Sequence, residues 1–507
     1  MLCVIIILAL TGHARAQEVP PSSVAPAHMP KVGTVDRRFV SYNVEMVEVT
    51  GGRFWKPYST DEEARQDAKV VSSKPSSQIS ADLFQYRPPI DLANFRLRNL
   101  AKAIGPAYIR VSGGWANGTY FQDDDKPPLK QPPAGFKDVL TRAEWKGVIE
   151  FARAAGAQIV TSFSISPGTR GSDGVWMPTQ AKALLDYTNA IGGRIAAAEF
   201  MNEPNLVKGQ GAPSYDAAAF AKDIKIFMPF YRSQLSKSLL VGPGTGTVGN
   251  EKVLKLTGPI FDVFSYHFYG ALSRRCTTGG RGRGITIDQV LSPEWLDRTD
   301  QAEASNASLR DTYLPGKPIW LTETAEAACG GDMFAGQFAD TFRFLNQFGT
   351  LARKGVQVVM HNTLAGSDYG LLDEETFQPR PNYWAAVLWN RTMGTTVLDP
   401  ETKNEGALRI YAHCMKQTRG GVALLALNTD EKEEYTLEEP VSGDRFTLTA
   451  PALTSTIVLL NGRELEANPN GSLPSMQGQP FKAGPVRLPP HSITFLTIPS
   501  AGNNNCQ

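Results

Sequence analysis

The sequence predicts an α/β fold, a (β/α)8 TIM barrel followed by a C-terminal β-sandwich domain. Three observations carry this. Eight short apolar runs alternate with helix-like patterns from about Phe39 to Gly366. No Gly-rich phosphate loop follows the first run, which disfavours an open doubly wound sheet. Beyond Trp389 the helical patterns stop and short strand-like runs take over.

The predicted barrel strands are Phe39–Met46, Ala107–Gly113, Gln158–Ile165, Ile195–Asn202, Ser238–Gly242, Phe261–Phe268, Pro318–Glu323 and Val356–Asn362. Several are near-continuously apolar, as parallel strands covered on both faces must be. The clearest helices between them are Leu92–Ile104, Thr141–Ala155, Pro178–Ile191, Tyr215–Ser236 and Asp332–Lys354. An Asp/Pro cluster, Asp123 to Pro133, marks a solvated insertion after the second strand. In the C-terminal part the expected strands are Leu408–His413, Gly421–Asn428, Glu434–Leu437, Arg445–Thr449, Thr454–Leu460 and Ser492–Ile498.

The chain has 507 residues and a formal net charge of +1. Nothing in that balance draws the whole protein to nucleic acid or to a membrane surface. Leu2 to Leu10 is apolar but too short to span a bilayer. Ala14-Arg15-Ala16 then fits signal cleavage, so residues 1–16 are expected to be removed on export to a periplasm or the medium. Cys276, Cys329, Cys414 and Cys506 would remain, an even number that suits disulfides. Spacing alone leaves all three pairings open. No Cys-x-x-Cys or paired histidines are present, so neither metal nor other cofactor is expected.

Catalytic residues of such barrels sit at the C-terminal ends of strands. Glu203 ends the fourth predicted strand and Glu323 the seventh, so two carboxyls can face each other across the barrel mouth. Glycoside hydrolysis needs such a pair: one protonates the leaving oxygen, and the other attacks the anomeric carbon or activates water. Glu326 is a competitor, read as a loop carboxylate beyond the strand. Asn202 could hold a sugar hydroxyl. Tyr269 shares a strand face with His267 and could hydrogen-bond the nucleophile. His361 is expected in a hydrogen-bonding role. Arg274, Arg275, Arg281 and Arg283 lie on the loop after the sixth strand, where they could pair with sulfates or carboxylates; a solvated loop is the alternative.

Several motifs together resemble glycoside hydrolase family 79, the heparanase and β-glucuronidase family. They are Ala107-Tyr-Ile-Arg-Val-Ser-Gly-Gly114, Asn202-Glu-Pro-Asn205, Tyr266-His-Phe-Tyr269, Trp320-Leu-Thr-Glu-Thr324, Gly330-Gly331, Asp368-Tyr-Gly-Leu-Leu-Asp373 and Pro381-Asn-Tyr-Trp384. The resemblance implies a retaining mechanism with Glu203 as acid/base and Glu323 as nucleophile. It implies a glucuronate subsite in which Tyr369, Gly330 and Gly331 meet the carboxylate and Glu45 and His361 meet the sugar. His361 stands where a family member carries glutamine. The implied domains are residues 17–37 joining the sandwich, the barrel over 38–388 and the sandwich over 389–507. Cys414–Cys506 is the implied sandwich clamp, leaving Cys276 and Cys329 to pair. The insertion near Gln122–Phe136 is short, so proteolytic activation is not expected. The implied partner is a glucuronate-bearing oligo- or polysaccharide such as heparan sulfate, cleaved within the chain by a monomeric enzyme. Release of terminal glucuronate and glycan binding without turnover are the alternatives.

Overall fold

The computed structural model describes residues 22–58, 83–206, 215–276, 284–404 and 406–507. The expected signal segment, Arg281 and Arg283 lie outside the described residues. Eight parallel strands close into a barrel in chain order: β1 (Val40–Glu45), β2 (Tyr108–Ser112), β3 (Gln158–Thr161), β4 (Ile195–Ala198), β5 (Leu239–Thr245), β6 (Val263–Leu272), β7 (Ile319–Ala328) and β8 (Val358–His361). β8 closes on β1 through Val359 opposite Val40. A main helix follows each strand: α1 (Phe95–Ala103), α2 (Arg142–Ala155), α3 (Thr179–Ala190), α4 (Ala217–Gln234), α5 (Thr247–Thr257), α6 (Arg298–Tyr313), α7 (Phe338–Arg353) and α8 (Pro381–Thr392). The sequence reading had not singled out α5, α6 and α8. α6 has few apolar residues, and α8 is buried all round, so neither shows a sharp apolar stripe.

α2 shows why these segments are helical. Thr141 accepts a hydrogen bond from the Glu144 N–H, and the Glu144 carboxylate accepts from the Thr141 N–H, a reciprocal cap. Trp145, Val148, Ile149 and Ala152 then recur on one buried face. Gly156 ends the helix in the left-handed region at φ 66°.

The barrel base is filled by Tyr108, Val160, Ala197, Val241, Trp320 and Met360 among others. Side chains alternate along a strand, so Arg110, two residues above Tyr108, also points inward and faces the mouth. One irregularity matters for function. Tyr266 pairs with Leu321, but its successor His267 pairs with Glu323. Thr322 is therefore an extra residue in β7, and the register against β8 shifts at the same place. The bulge reverses the alternation, so Trp320 and Glu323 both face inward.

Past α8, antiparallel strands build the second domain. Met393–Leu398, Leu408–Met415, Val422–Asn428, Ser492–Ile498 and Gly443–Thr449 lie side by side in one sheet. Lys31–Thr34 adds to the edge of this sheet, and Ser22–Ser23 adds to a smaller sheet with Tyr435–Glu439 and Gly484–Leu488. Val24, Leu398, Leu424, Leu437 and Val486 belong to the apolar layer between the sheets. Cys414 and Cys506 are bonded, as are Cys276 and Cys329. α7 docks the barrel on this domain: Tyr411 donates to Asn346 Oδ1 at 2.6 Å, and its ring packs where a Cβ on Gly349 would sit.

Candidate active site

β4 ends at Ala198, five residues before Glu203, so Glu203 stands in the turn beyond the strand. Its backbone has φ 43°, a left-handed conformation uncommon for a residue with a Cβ. Asn117 supports the turn from the loop after β2: its Oδ1 accepts from the Asn202 N–H and its Nδ2 donates to the Asn202 carbonyl, both at 2.9 Å. The Leu206 N–H closes the turn on the Glu203 carbonyl at 2.9 Å.

Glu323 stands inside β7, which continues to Ala328. Arg110 Nη1 donates to its Oε2 at 2.9 Å, and the Tyr269 hydroxyl donates to its Oε1 at 2.7 Å. Burial works against its charge, but His267, Arg110 and the Tyr269 hydrogen bond outweigh burial and hold its pKa below the ordinary glutamate value. Arg110 is fully buried and also pairs with Glu199 at 2.9 Å and with Asn202 Oδ1 at 2.8 Å. Burial disfavours its cation, yet Glu199 and Glu323 more than offset this and raise its pKa.

His267 Nδ1 lies 3.0 Å from Glu203 Oε1 and 3.6 Å from Glu323 Oε2, bridging the two carboxyls. Burial lowers its pKa, but Glu323 and the Glu203 hydrogen bond raise it by more. An oxygen of Glu203, a ring nitrogen of His267 and an oxygen of Glu323 all lie within 4.8 Å of one another. Such a trio could also surround a cation, which the Arg110 guanidinium beside Glu323 would oppose.

Glu45 ends β1 beside this pair. Burial, then the charge of Glu323, pushes its pKa well up. Its Oε2 has no hydrogen-bond partner. Gly113, at φ 90°, leaves room for it, since a Cβ there would fall 1.4 Å from Glu45 Oε2. Asn362 Nδ2 donates to both the Tyr269 and Tyr369 phenol oxygens, at 3.0 and 3.3 Å. Both phenols therefore keep their own hydrogens to give elsewhere.

Glu203, Glu323, Glu45, Asn202, Tyr269 and Tyr369 all line one cleft of about 1060 Å³ at the barrel mouth. The other sequence expectations need correction. His361 does not face the cleft: alternation along β8 turns it outward against Phe344, and its Nε2 is 2.7 Å from the Tyr369 carbonyl. Burial drops its pKa to about 3, so it is neutral and shapes the Tyr369 loop. Gly330 and Gly331 sit behind the cleft wall, with φ 88° and 90°. A Cβ would strike Trp55 at the first and crowd the Tyr369 backbone at the second, and the Gly330 carbonyl accepts from the Asp368 N–H at 3.0 Å. Arg274 and Arg275 do not extend over the mouth. Arg274 is paired with Asp332 at 2.8 Å, and Arg275 is buried against Asp368 with its guanidinium over the Tyr58 ring. Glu326 is not in a loop: it lies in β7, faces away from the cleft by alternation after the bulge, and accepts from the Asp332 N–H at 2.9 Å. Arg110, Glu199, Asn117 and the bridging place of His267 were missed. An arginine inside the apolar Tyr108–Ser112 run and a glutamate directly after Ala196-Ala197-Ala198 were the available signals, because a buried charge needs a partner.

A family profile described as glycosyl hydrolase family 79, N-terminal domain, matches residues 88–349. Heparanase-like protein 1 of Arabidopsis thaliana is 27% identical over 483 residues, covering 82% of this chain and 86% of that protein. The heparanase of Mus musculus is 26% identical over 476 residues, covering 81% and 86%. Among solved structures, a 4-O-α-L-rhamnosyl-β-D-glucuronidase from Fusarium oxysporum 12S aligns over 95% of this chain and 99% of its own, with TM-score 0.63 and 14% identity. The GH51 α-L-arabinofuranosidase of Thermotoga petrophila RKU-1 aligns over 94% and 99%, with TM-score 0.64 and 13% identity. At these identities the structural matches show the fold alone.

Proposed function

Because the chain belongs to glycosyl hydrolase family 79, we propose that it is a retaining β-glucuronidase with Glu203 as acid/base and Glu323 as nucleophile. The observation that carries this is the approach of the two carboxyls, with oxygens within 4.8 Å. Retention goes with carboxyl groups about 5–5.5 Å apart, whereas inversion needs about 6.5–9.5 Å to admit a water. Their surroundings divide the roles. Arg110, Tyr269 and His267 keep Glu323 ionised, as a nucleophile must be. Glu203 makes one bond, to a histidine that can exchange protons, as a group that gives and retakes a proton requires.

In the first step Glu323 bonds to the anomeric carbon while Glu203 protonates the departing oxygen. In the second Glu203 takes a proton from water, and the water oxygen displaces Glu323. The Tyr369 hydroxyl offers a hydrogen to the sugar and its carboxylate, and the Glu45 carboxyl, whose charge burial disfavours, lines the same space. A cleft of this volume exceeds what one sugar ring fills, which supports cleavage within a chain. The two disulfides support an exported, oxidising location. No helix among the described residues is long and apolar enough to cross a membrane.

Proton NMR of p-nitrophenyl β-glucuronide hydrolysis tests the proposal. First-formed β-glucuronic acid is expected; α-anomer would reject the retaining mechanism. Loss of chain length in a glucuronate polysaccharide, against release of monosaccharide only, separates endo from exo action.

A further inference from the structure

The leaving group must lie on the Glu203 side of the cleft, because Glu203 delivers its proton. Leu206, three residues past Glu203, and Leu272, three past Tyr269 at the end of β6, both line the cleft. They are 52% and 45% exposed. Large apolar side chains held open to water in the cleft, Leu206 on the turn that carries Glu203, offer contact to an apolar face. Trp55 and Phe84, which also line the cleft, stack at 4.4 Å and extend the apolar lining.

The charges agree. Among the described residues, the cleft holds the basic side chains Arg53, Lys137 and His267, the last of them set between Glu203 and Glu323, against the acidic side chains Glu45, Asp138, Glu203 and Glu323. Arg53 and Lys137 both already interact with the protein. Arg274 and Arg275 are committed to Asp332 and Asp368. By sequence, the undescribed segments 59–82, 207–214 and 277–283 together hold six basic and five acidic residues, which supplies no large positive surplus. Among the described residues a sulfated sugar next to Glu203 would find no pair of uncommitted guanidiniums to hold it.

We infer that the leaving-group side of this cleft is built for an uncharged group with apolar faces, clasped by Leu206 and Leu272, and not for a sulfated sugar. This rests on the β-glucuronidase reading.

The test compares kcat/KM for p-nitrophenyl β-glucuronide, an unsulfated glucuronate–N-acetylglucosamine oligosaccharide and its N,O-sulfated counterpart of equal length. Each is measured from low to high salt. The unsulfated substrates should be preferred at least about tenfold, and their KM should change less than about twofold with salt, since screening acts on charge pairs. Leu206→Ala and Leu272→Ala, both exposed and safe for folding, should each raise KM for the aryl glucuronide several-fold with kcat little changed. Faster turnover of the sulfated chain, with KM rising steeply with salt, would overturn the inference while leaving β-glucuronidase action intact. Unchanged KM in both leucine variants would also overturn it. Turnover of none of the glucuronides would remove the β-glucuronidase reading itself, and this inference with it.

Discussion

Arg110 and Glu323 form an ion pair of 2.9 Å between Nη1 and Oε2, closed off inside the barrel. The same guanidinium holds Glu199 and Asn202, so one side chain from β2 ties the proposed nucleophile, Glu323, to the turn that carries the proposed acid, Glu203. Arg110→Met should leave two carboxylates buried without their cation. Removing one member of a buried pair costs about 3–5 kcal/mol. A drop in thermal midpoint and a loss of kcat of at least about a hundredfold are expected, read by calorimetry and aryl-glucuronide kinetics. Near-normal kcat in a folded variant would contradict the positioning role.

Tyr269→Phe removes the hydroxyl that Glu323 Oε1 accepts. Hydrogen bonds to charged groups are worth roughly 1.5–3 kcal/mol. The pKa of Glu323 should therefore rise, and the acid limb of the kcat/KM profile should move to higher pH. A variant whose profile keeps the wild-type acid limb would show that the phenol does not hold the charge.

Glu323→Ala should abolish turnover of the aryl glucuronide. Glu203→Ala should instead keep activity on substrates whose leaving group needs no proton, and azide should speed it by replacing the water of the second step. β-glucuronyl azide, seen by NMR, is the expected product. Azide rescue of the Glu323 variant with retained product geometry would reverse the role assignment.

Glu439, in the strand Tyr435–Glu439, is a buried carboxyl with neither oxygen hydrogen-bonded. Burial raises its pKa to about 8. Below the ordinary glutamate pKa both folded and unfolded forms hold the proton, and the residue is neutral to stability. As pH rises the unfolded chain ionises first, so stability falls until the folded group also ionises near pH 8. Glu439→Gln should thus match wild type at pH 4 and exceed it at pH 8 by on the order of 1–3 kcal/mol. Parallel melting curves across that range check it; a constant difference would show that titration is not the cause.

The barrel was legible because its strands are apolar on both faces and each is followed by a helix. The meeting of Glu203 and Glu323 at one mouth was legible because each follows an apolar run, although Glu203 stands beyond the end of β4 and Glu323 within β7. What stayed hidden depended on direction. His361 and Glu326 are polar residues in or beside the right strands, yet alternation turns both away from the cleft. Arg274 and Arg275 read as substrate-facing from their place after the sixth strand, but their acceptors, Asp332 and Asp368, come from loops far along the chain. Pairings at such separation leave no local pattern. Arg110 left a clue in its apolar strand, although its three partners could be found only from the closed barrel.

The extra residue at Thr322 makes the proposed nucleophile depend on strand register as well as on chemistry. Were β7 to pair without the bulge, with Thr322 taken into the ladder opposite His267, the pairing below would be undisturbed but Glu323 would swing towards the surrounding helices, with Thr324 following it into the mouth. The scaffold could persist and still bind sugar while its chemistry vanished. A one-residue slip of strand seven against strand six would thus silence the site without changing a single side chain.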